Sequence, residues 1–185
     1  MSLVTCIDFK DKVSLMSDGL MTNEDGSFHG DGFKKFIIKQ DFFLAITISQ
    51  IVAEVLFNEI EKKSFSSSEV KNLLDDLYKE FNKEYNIVLG TNSEKRFSYT
   101  IYTHFAGEYK MHQNIAHFSG YPLVMNSPNL EESYVIEFKN SIKKMSDNGT
   151  PLNTIISKQR EFHNEVAKID PTVNKELFHQ YHSKY

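Results

Sequence analysis

Three polar residues near the start of the chain have the types and spacing for acyl-transfer chemistry. They are Ser2, Asp18 in Ser17-Asp18-Gly19, and Lys35 in Phe33-Lys34-Lys35-Phe36. Removal of Met1 would leave Ser2 as the first residue, and a terminal hydroxyl beside its own α-amine is a nucleophile–base pair. The apolar runs between the three read as strands, so fold geometry can bring them together. The triplet is either a working catalytic centre or the remnant of one. Thr5 and Cys6 would be alternative nucleophiles only after cleavage before them, and Cys6, in an apolar strand, reads better as a small buried hydrophobe.

The elements that must position these residues follow from periodicity. Residues 3–9 and 13–17 read as strands joined by a tight turn at Lys10-Asp11-Lys12. A polar loop punctuated by glycine runs from Gly19 through Asn23-Glu24-Asp25-Gly26 to Gly30-Asp31-Gly32, and strands follow at 33–39 and 42–48. The period then becomes helical. Ser49 can cap a helix with Ile51, Val52, Val55, Leu56 and Ile60 on one face. After the serine cluster 64–68, Val70, Leu73, Leu74, Leu77, Phe81 and Tyr85 recur at helical spacing. A second block of strands is expected at 86–89, 96–105, 108–112 and 114–119, with an irregular stretch at 121–129. Ser127-Pro128 opens a helix that stops at Asp147-Asn148-Gly149, and Thr150-Pro151 starts another. Residues 176–181 alternate as a closing strand. Strand blocks each followed by a helix pair imply an α+β fold: a four-layer αββα sandwich of two antiparallel sheets flanked by helices. A strand such as 42–48, apolar nearly throughout, would then be buried on both faces. Without repeat or linker, residues 1–185 read as a single domain.

Composition narrows the function. A 185-residue chain that is 40% apolar is long enough for a full core, and its net charge of −4 gives nucleic acid no electrostatic purchase. The longest apolar run, Phe42 to Ile48, is far short of the roughly 20 residues of a membrane span. A single cysteine excludes an internal disulfide and suits a reducing compartment, so a cytoplasmic protein is expected. Asn148-Gly149-Thr150 matches a glycosylation sequon and is there more simply a turn. His104, His112 and His117 fit no zinc spacing, and His179 and His182 are loosely framed. Residues 24–32 lack the ligand order of a calcium loop. No metal or cofactor is called for.

The same element order and residues resemble the N-terminal nucleophile hydrolases, especially proteasome β subunits and the peptidase subunit of the HslUV protease. Val13-Ser14-Leu15-Met16-Ser17-Asp18-Gly19 looks like the family's second strand with its closing Asp-Gly. Gly30-Asp31-Gly32-Phe33-Lys34-Lys35-Phe36 looks like its approach to the third strand, and Gln50-Ile51-Val52-Ala53-Glu54 like the start of its first central helix. Aligned back from Asp18 without a gap, Ser2 takes the place of the family's N-terminal threonine, while Asp18 and Lys35 match its aspartate and lysine. Asp170 corresponds to an aspartate before the final strand. In the chemistry this resemblance implies, the Ser2 amine, with an ordinary pKa of about 7.7–8.0, takes the hydroxyl proton. Lys35 lowers that pKa and Asp18 holds the lysine. The family carries a glycine after its fourth strand, whose N–H is an oxyanion donor. Here that stretch, Ala45 to Gln50, has none, and Ile48 is expected to stand across the approach.

The resemblance implies a hydrolase of peptide or other amide bonds, in a homo-oligomeric ring with an ATPase partner. The competing expectation is a catalytically inactive proteasome-like subunit acting in assembly or binding.

Overall fold

A computed structural model describes residues 2–22, 27–81, 84–93, 96–115, 120–125 and 129–184. Met1, the loop at 23–26, His117 and Ser127-Pro128, all named above, lie outside them. The chain builds strands β1 (Val4–Asp8), β2 (Lys12–Asp18), β3 (Met21–Thr22), β4 (Phe28–Gly30), β5 (Phe36–Ile38) and β6 (Phe42–Thr47). Helices α1 (Gln50–Lys63) and α2 (Ser67–Leu77) follow. Then come β7 (Tyr85–Asn92), β8 (Phe97–Phe105), β9 (Glu108–Ile115), β10 (Leu123–Met125), α3 (Glu132–Asp147), α4 (Leu152–Ile169) and β11 (Leu177–Ser183).

Two antiparallel sheets form the centre. One has the order β10-β1-β2-β11 and the other β5-β6-β7-β8-β9. Side-chain alternation explains the four layers. Val4, Cys6, Val13 and Leu15 meet Phe43, Ala45, Val88 and Tyr99 between the sheets. Leu3 and Ile7 point the other way, onto Phe138, Ile142, Ile155, Phe162 and Val166 of α3 and α4. On the far side Phe42, Leu44 and Ile46 meet Leu56, Phe57, Ile60, Val70 and Leu74 of α1 and α2. β6 is therefore apolar throughout because both of its faces are covered. The expected four-layer α+β architecture is the one found.

The strand blocks do not map onto the sheets one to one. β5 and β6 leave the first block to pair with β7, while β10 and β11 return to flank β1 and β2. The stretch expected to be irregular contains β10, a short edge strand whose Leu123–Met125 pairs with Val4–Cys6. The expected strands at 108–112 and 114–119 are one strand, β9, within the described residues. Tyr85 belongs to β7 rather than to the preceding helix, which ends at Leu77. The inward stripe of α1 is Ala53, Leu56, Phe57 and Ile60, leaving Ile51 and Val55 exposed. That rotation seats Phe57 in the core, stacked on Phe33 at 6.1 Å between ring centroids. Ser66 and Glu69 form a reciprocal capping box at the start of α2.

Candidate active site

β2 ends and β5 begins at the same end of the sandwich, so Asp18 from one sheet meets Lys35 from the other. The Lys35 Nζ lies 2.8 Å from Asp18 Oδ2, and both residues are buried, at 4% and 0% exposure. Nζ also donates to the backbone oxygens of Asp18 at 3.0 Å and Leu20 at 2.9 Å. An ammonium carries three protons, so these acceptors use all of them. Asp18 Oδ1 accepts the Leu3 N–H at 2.8 Å, and Oδ2 also accepts the Leu20 N–H at 3.1 Å. Burial alone raises the Asp18 carboxyl and lowers the Lys35 ammonium, and their mutual attraction opposes both shifts. The named partners of Lys35 are all acceptors and those of Asp18 all donors. The pair is therefore ionised.

Ser2 adjoins this pair through the backbone of Leu3. Its peptide link to Leu3 supplies the N–H that Asp18 holds, and the residue is buried at 8% exposure. The structure thus brings the Ser2 backbone, Asp18 and Lys35 into one cluster. Asp170 caps α4 at the start of the α4–β11 connection, where its Oδ1 accepts from the Thr172 N–H at 2.9 Å and hydroxyl at 2.7 Å. The same connection reaches the cluster further on. Asn174 Oδ1 accepts the Gly19 N–H at 3.0 Å, and Glu176 Oε2 accepts the Gly32 N–H at 2.8 Å. Glu176 also favours the charged form of Lys35. A Cβ on Gly19 would come within 2.5 Å of the Glu176 carboxylate, which would have to shift from its bond to Gly32.

Ile48 does not stand across the site. It packs into the cluster between the second sheet and α1 and α2. The Thr47 hydroxyl accepts the Asn86 backbone N–H at 3.2 Å, and the Ile46 N–H donates to the Lys35 carbonyl at 2.9 Å, fixing the end of β6 beside the lysine. From there the chain enters α1, whose first intrahelical bond runs from Ala53 to Ser49. The N–H groups of Gln50, Ile51 and Val52 precede that bond and have no intrahelical acceptor. Neither an acidic residue in the first turn nor a capping bond from Ser49 occupies this end.

Thr5 and Cys6 are both buried in β1. The Cys6 thiol is pushed far up by burial, which makes it inert as a nucleophile. Thr5 belongs to a second polar cluster, formed with α4. Gln159 Nε2 donates to Thr5 Oγ1 at 2.8 Å, Thr5 Oγ1 meets His163 Nε2 at 2.8 Å, and Ser14 Oγ donates to Gln159 Oε1 at 2.7 Å. Sequence reasoning missed this cluster. Its signal was present: Gln159 and His163 lie on the apolar side of α4, four residues apart, between Ile155 and Val166. Of the histidines that fit no zinc spacing, His104 stacks on Tyr109 at 4.0 Å between centroids and His112 is exposed on β9. Among the described residues no three His, Cys, Asp or Glu side chains are placed to hold a metal ion.

No protein-family model matches the chain, and no curated protein matches its sequence. Solved structures do match. Anbu, an ancestral β-subunit from Yersinia bercovieri, superposes with a TM-score of 0.66 at 10% identity, over 98% of this chain and 81% of its own. Eukaryotic HslV from Trypanosoma brucei superposes at 0.61 with 14% identity, over 97% of this chain and 98% of its own. The fold is that of the proteasome-like N-terminal nucleophile hydrolases. At these identities the proteasome-like likeness is one of backbone, and it covers both sheets and both helix pairs. Among the described residues no helix is long and apolar enough to cross a membrane.

Proposed function

We propose that this protein is an N-terminal nucleophile hydrolase that cleaves peptide or other amide bonds through Ser2, once Met1 is removed. One observation carries the reading: a buried lysine ammonium is locked to Asp18, and Asp18 is bonded to the peptide that follows Ser2. A buried ion pair repays its desolvation only through close pairing and hydrogen bonds, and such pairs are concentrated at functional sites. Here the Lys35 charge would sit beside a terminal amine and lower its pKa, keeping more of it neutral. The amine takes the Ser2 hydroxyl proton as Oγ bonds to the substrate carbonyl carbon. It returns that proton to the departing amine as the C–N bond breaks, leaving an ester on Ser2. Water activated by the same amine then releases the acid. The N–H groups at the start of α1, which have no intrahelical acceptor, would serve the oxyanion in place of a glycine N–H.

Intact mass followed by labelling with an electrophile selective for N-terminal hydroxyl nucleophiles tests this. Loss of Met1 and a single adduct, absent from Ser2→Ala, are expected. Retained Met1 in protein made from its natural start, or equal labelling of Ser2→Ala, overturns it.

One observation favours a second reading, a non-catalytic subunit. The three Lys35 protons are already taken by Asp18 and Leu20, as in a purely structural ion pair. The labelling experiment separates the two. Under either reading the proteasome-like fold is the basis for placing the chain in a homo-oligomeric ring in the cytoplasm, with an ATPase partner. A native mass several times the 21.5 kDa protomer is expected.

A further inference from the structure

A cavity of about 630 Å³ lies at the end of the second sheet, and the proposed chemistry does not use it. Its volume falls within the range of small-ligand and peptide side-chain sites. Thr47, Asn86, Thr103 and Lys110 form one cross-strand row over β6, β7, β8 and β9, and all four line the cavity. The row begins next to the Ile46–Lys35 backbone bond, so the cavity lies at the sheet end that carries the Lys35–Asp18 pair. The floor is polar: the Asn86 amide, bonded to the Thr47 hydroxyl at 3.3 Å, and the Thr103 hydroxyl suit a peptide chain more than an apolar ligand.

The outer wall is the β8–β9 turn, with Phe105 59% exposed at its start. Three charged groups line the cavity: Glu84, Glu108 and Lys110. Glu108 is neutralised by Lys110 at 2.8 Å. Among the described residues Glu84 holds a neutral partner, the Ala106 N–H, at 3.3 Å from Oε1, and no cation. An exposed aromatic ring and a carboxylate bonded to a neutral N–H, set in one cavity, match the flat face and donor edge of a guanidinium.

We propose that this cavity is a subsite for a basic side chain, arginine foremost, on a peptide lying along the sheet end beside Lys35. The proposal rests on the peptide part of the functional reading and not on turnover. It is tested with the full-length Ser2→Ala protein, which cannot react through Ser2, by fluorescence anisotropy. The probes are three labelled nonapeptides identical except for a central Arg, Gln or Glu. The Arg peptide is expected to bind about tenfold more tightly than the Gln peptide, the scale of one charge-assisted hydrogen bond. The Glu peptide should be weakest. Glu84→Gln and Phe105→Ala, both at exposed positions, should each reduce the preference to about threefold or less. Glu84→Lys should reverse the order of the Arg and Glu peptides. Equal binding of the Arg and Gln peptides overturns the proposal. So does no binding of either, or a preference untouched by Glu84→Gln. Electrophile labelling of the wild-type chain reports separately on Ser2, so failure of the nucleophile and failure of the subsite give different results.

Discussion

Two buried polar clusters sit on the same sheet, a few residues apart, and they solve burial in opposite ways. At the end of β2 the Asp18–Lys35 pair carries full charges, each group held by backbone as well as by its partner. Under α4, Thr5, Ser14, Gln159, His163 and His179 hold no formal charge. Gln159 donates to Thr5 Oγ1, which also meets His163 Nε2. Ser14 donates to Gln159, so His179 donates to Ser14 at 3.0 Å. The neutral cluster docks a helix. The charged one does no docking that neutral groups could not do more cheaply. Under the proposed function, the difference makes the neutral cluster architecture and the charged one chemistry.

Removing one charge tests that division most severely. Lys35→Met strands a buried carboxylate and should destabilise the fold by ~3–5 kcal/mol in urea unfolding. The double variant Asp18→Leu with Lys35→Met should recover most of that loss while Ser2 labelling stays abolished. Recovery of labelling with stability would return the pair to architecture. In the neutral cluster, Gln159→Leu leaves two buried hydroxyls short of partners and should cost ~2–3 kcal/mol. Labelling of Ser2 in the folded fraction should be unchanged.

The charged cluster was legible in the sequence and the neutral one was not, for a physical reason. Asp18 and Lys35 stand in short strands whose order and spacing carry a family pattern, so local reading places them. Gln159 and His163 meet Thr5 and Ser14 across more than a hundred residues of sequence, and such long-range pairs leave only a faint local trace. The same limit applies to the sheets. Period-2 alternation located most strands, but it cannot say that β6 pairs with β7 across two helices. The face of α1 was readable to within one residue: Leu56 and Ile60 turned inward as expected, whereas Phe57 pulled the helix round and left Ile51 outside. Asn174, which touches the site through Gly19, sat in a connection with no pattern to single it out, and Glu176, expected to open the closing strand, lies just before β11 and reaches Gly32.

The neutral cluster should also be where acid first undermines the fold. Burial, with a smaller contribution from the Lys35 charge, pushes the His163 pKa down to about 3, from an ordinary value near 6.5. The unfolded chain therefore binds a proton below about 6.5 that the folded chain refuses until about 3. Stability should fall across that window by up to ~1.4 kcal/mol per pH unit for this group. Burial also lowers His179 and His182, which adds to the slope in the same direction. His163→Gln keeps an amide near Thr5 and should flatten the dependence by one proton's share, measured as unfolding free energy against pH. An unchanged slope would mean that His163 is charged in the fold.

The smallest effect probes the seam between the clusters. Ser17 Oγ accepts the Lys35 backbone N–H at 3.4 Å, a long bond that helps seat the start of β5 against β2. Ser17→Ala should cost ~0.5–1 kcal/mol in unfolding, the ordinary worth of one neutral hydrogen bond. The informative readout is the pH profile of Ser2 labelling. If Lys35 tunes the amine by its charge, a loosened lysine lets the amine pKa drift back toward its free value near 8, and the rate at pH 7 falls. If Lys35 only joins two sheets, the stability changes and the profile does not.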